Sequence, residues 1–156
     1  MKKTKKTVLK GILCLLALFL LFNVGWYVWR AVKYGAYAEG MEVNPIPEWL
    51  VPRYKLIDAD GYDYGLKYPD YLSFTGNMSV GTPAEDDPFS DFLIVWPKPA
   101  GGYTYGVALT EDGKGYQIYI GADGSAVDPE YAGIVARHQD TIDELLRRAE
   151  AMWDLE

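Results

Sequence analysis

The sequence predicts an α+β fold: an N-terminal transmembrane helix, then an antiparallel β-sheet of about four strands packed under a C-terminal α-helix. Three observations carry this. Residues 11–29, GILCLLALFLLFNVGWYVW, are nineteen consecutive uncharged positions bounded by lysine and arginine. Segments between Tyr71 and Ile120 alternate apolar and polar residues with period two, as half-buried strands do. From Tyr131 to Met152 apolar residues recur every three or four positions, which defines a helix with one packing face. Strands in succession followed by a helix give the α+β layer arrangement.

At about 1.5 Å of rise per residue, nineteen helical residues reach roughly 28 Å, close to the ~30 Å hydrocarbon core of a bilayer. Residues 1–34 therefore read as a basic segment and a transmembrane helix, in contact with membrane lipid through residues 11–29. Five lysines among the first ten residues, against Arg30 and Lys33 after the span, favour a cytoplasmic N-terminus and an extracytoplasmic C-terminal domain. Residues 1–38 carry seven basic and no acidic side chains, whereas residues 39–156 carry eight basic and twenty-two acidic ones, a net −14. Trp26, Tyr27, Trp29 and Arg30 form the expected interfacial anchor, with aromatic rings at headgroup level and a cation reaching beyond them. Cleavage after Ala38, within Ala36-Tyr37-Ala38-Glu39, is the alternative, giving a secreted chain. Against it stand Arg30, Lys33 and several bulky aromatics between the apolar run and that site. The one cysteine, Cys14, lies within the apolar run behind Leu13, where a lipidation signal requires a small residue, so the exported domain has neither a thiol nor a disulfide.

Residues 35–53 contain Gly35, Gly40, Pro45, Pro47 and Pro52 and read as an extended linker, with Trp49, Leu50 and Val51 docking on the following domain, 54–156. The clearest alternation, Leu72, Phe74, Met78 and Val80, predicts a strand from Tyr71 to Gly81. Asp91–Trp96 is continuously apolar and predicts a strand covered on both faces. Tyr103, Tyr105, Val107 and Leu109 predict another, and Glu111-Asp112-Gly113-Lys114 a tight turn into a last one through Tyr116, Ile118 and Ile120. Ser125–Val127 is a candidate short pairing. Asp128-Pro129-Glu130 supplies a helix start, with a capping carboxylate and a proline in the first turn. One helix is expected from there to Trp153, with a possible weak point around Gln139-Asp140-Thr141.

No catalytic motif emerges. His138 falls within the apolar stripe of the helix, where a core-edge role is the simpler reading. No serine sits in a nucleophile-elbow pattern, and no cofactor is implied. Asp58, Asp60 and Asp63 sit around Gly61 and could gather oxygens about a cation, but the spacing departs from the calcium-loop pattern and an Asp-Gly turn explains it. Glu85-Asp86-Asp87 reads as a solvated acidic loop. Tyr62, Tyr64, Tyr68 and Tyr71 crowd into ten residues beside acids, and exposed together they would suit a sugar or peptide. Strand packing is the competing role for tyrosine. An acidic domain without a basic stripe excludes nucleic acid as partner.

The expectation is a single-pass, membrane-anchored extracytoplasmic protein of the cell envelope. Its domain would bind a protein, peptide or envelope polymer without catalysis, through its sheet face or the 62–71 segment. Two alternatives remain: an envelope enzyme using a pair among Asp58, Asp60, Asp63, Asp70, Glu85, Asp86 and Asp87, or an accessory subunit of a membrane complex engaged through Asn23.

Overall fold

The computed structural model describes residues 2–44, 53–83 and 90–155 and divides the chain into two units, 1–36 and 37–156. The first is helix α1, Lys2–Gly35, long and apolar enough to cross a membrane. From Lys6 to Phe22 its residues are exposed on every side, as a lipid-facing helix requires. Asn23 satisfies its amide within the helix, Nδ2 donating to the Phe19 carbonyl at 2.7 Å.

The second unit is built on an antiparallel meander in which each strand pairs with the next: β1 (Glu42–Val43), β2 (Arg53–Ile57), β3 (Asp63–Lys67), β4 (Asn77–Gly81), β5 (Phe92–Pro97), β6 (Tyr103–Glu111) and β7 (Lys114–Ile120). The described sheet thus has seven strands, not about four. The missed strands are short and carry few apolar residues. β1 has two residues, β2 offers Tyr54 and Leu56 around Lys55 before an exposed Ile57, and β3 offers Tyr64 and Leu66 around Gly65. β1 also falls inside the stretch read as linker. Trp49, Leu50 and Val51, like Glu85, Asp86 and Asp87, lie outside the described residues.

The strand expected from Tyr71 starts only at Asn77. Ahead of it a turn closes with the Ser73 amide donating to the Asp70 carbonyl at 2.8 Å, and Leu72 sits at φ 63°, which takes the chain out of extended geometry. The β6–β7 hairpin forms as expected. Glu111 faces Lys114, and both residues between them have positive φ, 50° at Asp112 and 72° at Gly113, which matches the twist of the flanking strands. The Ser125–Val127 pairing is reduced to a bridge between Ile120 and Ala126.

The C-terminal helix is broken where a single one was expected. A 3₁₀ turn, Pro129–Tyr131, leads into α2 (Ala132–Arg137), and α3 (Gln139–Trp153) follows after His138. Asp128 caps the start, its Oδ1 accepting from the Glu130 amide at 3.0 Å. At the break His138 lies beside two carboxylates, Nδ1 at 3.3 Å from Oδ2 of Asp91, just ahead of β5, and Nε2 at 4.0 Å from Oε1 of Glu111 on β6. Beyond it α3 buries Ile142, Leu145, Ala149 and Trp153. These pack with Tyr64, Leu66, Met78, Val80, Leu93, Val95, Val107, Leu109, Ile118 and Ile120 as the core.

Candidate binding face

Core residues occupy one register of strands β3 to β7, so the other register builds the opposite face of the sheet. Strand pairing aligns Lys55, Gly65, Ser79, Ile94, Gly106 and Tyr119 in one row across six strands. A parallel row holds Ile57, Asp63, Gly81, Phe92, Ala108 and Gln117. The continuously apolar β5 was expected to be covered on both sides. Only Leu93, Val95 and Pro97 are buried, while Phe92, Ile94 and Trp96 lie half-buried on the open face.

Two depressions follow from this pattern. Glycine at 106 leaves no side chain beneath the Trp96 indole: a Cβ there would stand 2.9 Å from Trp96 Cζ3 and 3.3 Å from the Ile118 carbonyl oxygen. The resulting cleft, about 190 Å³, lies between Ile94, Trp96, Gln117 and Tyr119. The two rings have centroids 5.8 Å apart and are tilted by 45°, and Tyr119 is 63% exposed. Beside it, over Gly65 and Gly81, a groove of about 360 Å³ is lined by Arg53, Lys55, Asp63, Lys67, Asn77 and Ser79. Lys55 pairs with Asp63 at 2.9 Å and Lys67 with Asp70 at 3.1 Å, so the groove carries charges of both signs. Phe92 also lines it. The open face therefore joins apolar rings to a strip of amides, hydroxyls and paired charges.

The tyrosines singled out in sequence do not assemble into one surface. Tyr64 and Tyr68 are buried, Tyr68 against the Tyr54 ring at 5.3 Å and Tyr64 against Trp153 at 6.0 Å. The Tyr62 ring stacks on the Arg148 guanidinium at 3.6 Å, and Tyr71 is exposed in the β3–β4 loop.

The acids around Gly61 are already served by a cation. Arg148 donates from Nη1 to Asp58 at 2.7 Å, from Nη2 to Asp60 at 2.9 Å and from Nε to Glu144 at 2.5 Å, clasping the β2–β3 turn to α3. Burial works against the charged form of Asp58, but hydrogen bonds from the Tyr62 amide, the Tyr64 hydroxyl and the Asp60 amide outweigh it, and with Arg148 they hold its pKa below the ordinary 3.8. Asp63 points to the open face instead, toward Lys55. Among the described residues, no group of three or more His, Cys, Asp or Glu side chains is arranged to hold a metal ion.

Every described carboxylate whose pKa clearly departs from the ordinary value is displaced downward: Asp58, Glu111, Asp123 and Glu144. On α1, the Arg30 guanidinium lies 4.8 Å from the Trp26 ring centroid and 5.0 Å from that of Tyr27, and Lys33 lies 5.9 Å from that of Trp29.

Sequence reasoning missed Trp96, Tyr119, Gly106 and Arg148. The signal for the first three was present: β5 is apolar in both registers, while its neighbour β6 places Thr104, Gly106 and Ala108 in the register facing Trp96 and Phe92. Large apolar residues beside small ones on the non-core register mark a cleft, not a second core. Compared with protein-family profiles, curated proteins and solved structures, the chain matches none.

Proposed function

We propose that this chain is a single-pass membrane protein, N-terminus cytoplasmic, whose extracytoplasmic domain binds an extended polysaccharide of the cell envelope on its open sheet face. The observation that carries the reading is the Trp96–Gly106–Tyr119 cleft and the separate polar groove over Gly65 and Gly81 on the same face of the sheet. Sugar rings present C–H faces that stack on aromatic side chains and hydroxyls that need both donors and acceptors. The cleft supplies the first, and Asn77, Ser79 and the Lys55–Asp63 pair supply the second. Both depressions are open to solvent along the face, which suits a polymer passing across strands. Retention of α1 as the anchor is supported by the cation–ring stacks at its end, which suit an interfacial belt.

The test is the full chain in detergent micelles applied to a printed array of neutral and acidic oligosaccharides. Retention should rise with oligosaccharide length, and Trp96→Ala or Tyr119→Ala should weaken it roughly 10-fold or more, as loss of a central aromatic contact does. Absence of retention on every glycan, or retention unchanged in both variants, overturns the proposal.

A further inference from the structure

We propose that the polymer taken by the open face is a neutral, linear polysaccharide, and that it crosses the sheet by way of Phe92, the ring that stands between the depressions. The inference rests on the reading of that face as a polysaccharide site. A third depression, of about 390 Å³, shares residues with both of the others. Gln117 lines it together with the Trp96–Tyr119 cleft, while Ser90 and Phe92 line it together with the groove over Gly65 and Gly81. The three therefore succeed one another, with the exposed Gln117 side chain at the first passage and the half-buried Phe92 ring at the second.

Strand register explains why the path runs past Phe92. On the open face β5 presents a ridge of large side chains, Phe92, Ile94 and Trp96, with small residues to either side of it: Ala108 and Gly106 on β6, Gly81 and Ser79 on β4. Ile94 lines only the cleft and offers no flat surface. Phe92 lines a depression on each side, and between Gly81 and Ala108 its ring has no bulky neighbour in its row. A sugar face can stack there as the chain passes from one depression to the next. From Gly106 to Thr110 the path follows β6 for about 14 Å, and from β6 to β3 it crosses three strand spacings, about 14 Å more. It holds several sugar rings in succession.

Charge sets the class of polymer. Among the described residues, the cleft and the third depression are lined by no charged side chain. The cations of the groove, Arg53, Lys55 and Lys67, are matched by carboxylates: Asp63 pairs with Lys55 at 2.9 Å, Asp70 pairs with Lys67 at 3.1 Å, and Glu42 stands opposite Lys55 in the β1–β2 pairing. Three positive groups thus face three negative ones, which leaves no excess to attract a polyanion. At longer range, the twenty-two acidic against eight basic side chains of residues 39–156 repel one. Along the path stand aromatic rings, the Gln117 amide and the hydroxyls of Ser79, Ser90 and Thr110, groups that donate and accept hydrogen bonds without carrying charge. A neutral sugar chain can meet each of them, whereas a uronate or phosphate brings a charge to cations already matched.

The experiment applies the full chain in detergent micelles to immobilised neutral gluco-, manno-, xylo- and N-acetylglucosamine oligomers, from disaccharide to octasaccharide, with oligogalacturonates of the same lengths as the acidic probe. At least one neutral series should be retained in preference to the acidic one, and its retention should not weaken as salt is added. Phe92→Ala should lower retention of the longer neutral oligomers about tenfold while sparing the short ones held by the Trp96–Tyr119 cleft alone, and Phe92→Trp, which keeps a ring there, should restore the longer ones. Acidic oligomers retained as well as neutral ones or better, or neutral retention that falls with salt, overturns the neutral class and leaves the polysaccharide reading standing. Wild-type retention of every length by Phe92→Ala overturns the path. So does a loss that is equal at all lengths and not recovered in Phe92→Trp, which would assign Phe92 to the fold. Absence of retention on every probe overturns the polysaccharide reading and this inference with it.

Discussion

At the residue scale, two positions carry most of the chemistry, and both work through what stands opposite them. Gly106 matters for the atom it lacks. Its missing Cβ would sit 2.9 Å from Trp96 Cζ3, a contact the ring relieves only by tilting out of the cleft. We expect Gly106→Ala to cost about 1–3 kcal/mol of stability, as overpacking does, and to close the space between Trp96 and Tyr119. The measurement is denaturant unfolding beside oligosaccharide retention. A variant with wild-type stability and wild-type retention would mean that the indole has room to yield and that the glycine is incidental. Gly65 makes the useful contrast. A Cβ there meets Ser79 Oγ at 2.6 Å, the end of a small side chain that rotates away easily, so a tight distance alone does not set the cost. Arg148 works by the opposite means. One guanidinium satisfies Asp58, Asp60 and Glu144 and stacks on Tyr62, so what reads in the sequence as a cation site is built around a side chain from ninety positions away. Local spacing records the acids but not the arginine that answers them.

At the element scale, legibility follows the length over which a pattern repeats. The β6–β7 hairpin was readable because alternation runs through both strands and the turn needs positive φ at two consecutive residues, a demand that Asp112-Gly113 meets. Gly113→Ala should therefore destabilise the domain by about 1 kcal/mol, through the left-handed conformation alone, since nothing lies within 4 Å of the added methyl. Thermal unfolding checks it, and an unchanged melting temperature would mean that the turn can switch type at no cost. β2 and β3 were unreadable because each alternates over only five residues, Tyr54 and Leu56 between charges in one and Tyr64 and Leu66 around Gly65 in the other, and both are fixed by pairing with their neighbours. Leu72 and Phe74 kept the strand register in sequence while the backbone turned, so periodicity could not distinguish them from Met78 and Val80. The helix break at His138 was hinted at by weak local propensity, but the neighbours it meets there, Asp91 and Glu111, lie far off in sequence. The candidate face was illegible for the same reason. A row such as Lys55, Gly65, Ser79, Ile94, Gly106 and Tyr119 exists only once register is set.

At the scale of the whole molecule, the helical layer is tied to the sheet by packing on one side and by charge at its margins. Arg148 joins α3 to the β2–β3 turn, and Arg137 joins α2 to the β6–β7 hairpin through Glu111, at 2.6 and 2.9 Å. Both ties depend on ionised carboxylates. Hydrogen bonds from Arg147 and Arg148 hold the pKa of Glu144 at about 2, against an ordinary 4.5, and Arg137 holds that of Glu111 below its ordinary value. A carboxylate depressed on folding adds stability that is fully present above its unfolded pKa and is lost as pH falls through the folded one. The Glu144 contacts within α3 should accordingly be intact at neutral pH, begin to weaken near pH 4.5 and be largely gone by about pH 2, and the Asp58 and Glu111 contacts should weaken in the same direction on acidification. A domain with twenty-two acids against eight bases also repels itself at neutral pH, and protonation relieves that repulsion over the same range. The two effects oppose each other. The ties involve groups in contact at 2.5–2.9 Å, whereas the net charge acts across solvent and is screened by salt. In moderate salt the melting temperature of the full chain should therefore fall as pH drops from about 4.5 to about 2. Glu144→Gln should lower it at neutral pH and flatten the acid slope, because the group whose protonation removes the Arg147 and Arg148 contacts is already neutral. A melting temperature that rises on acidification, or an acid slope left intact in Glu144→Gln, would mean that net repulsion governs this domain and that the arginine clasps are incidental to its stability.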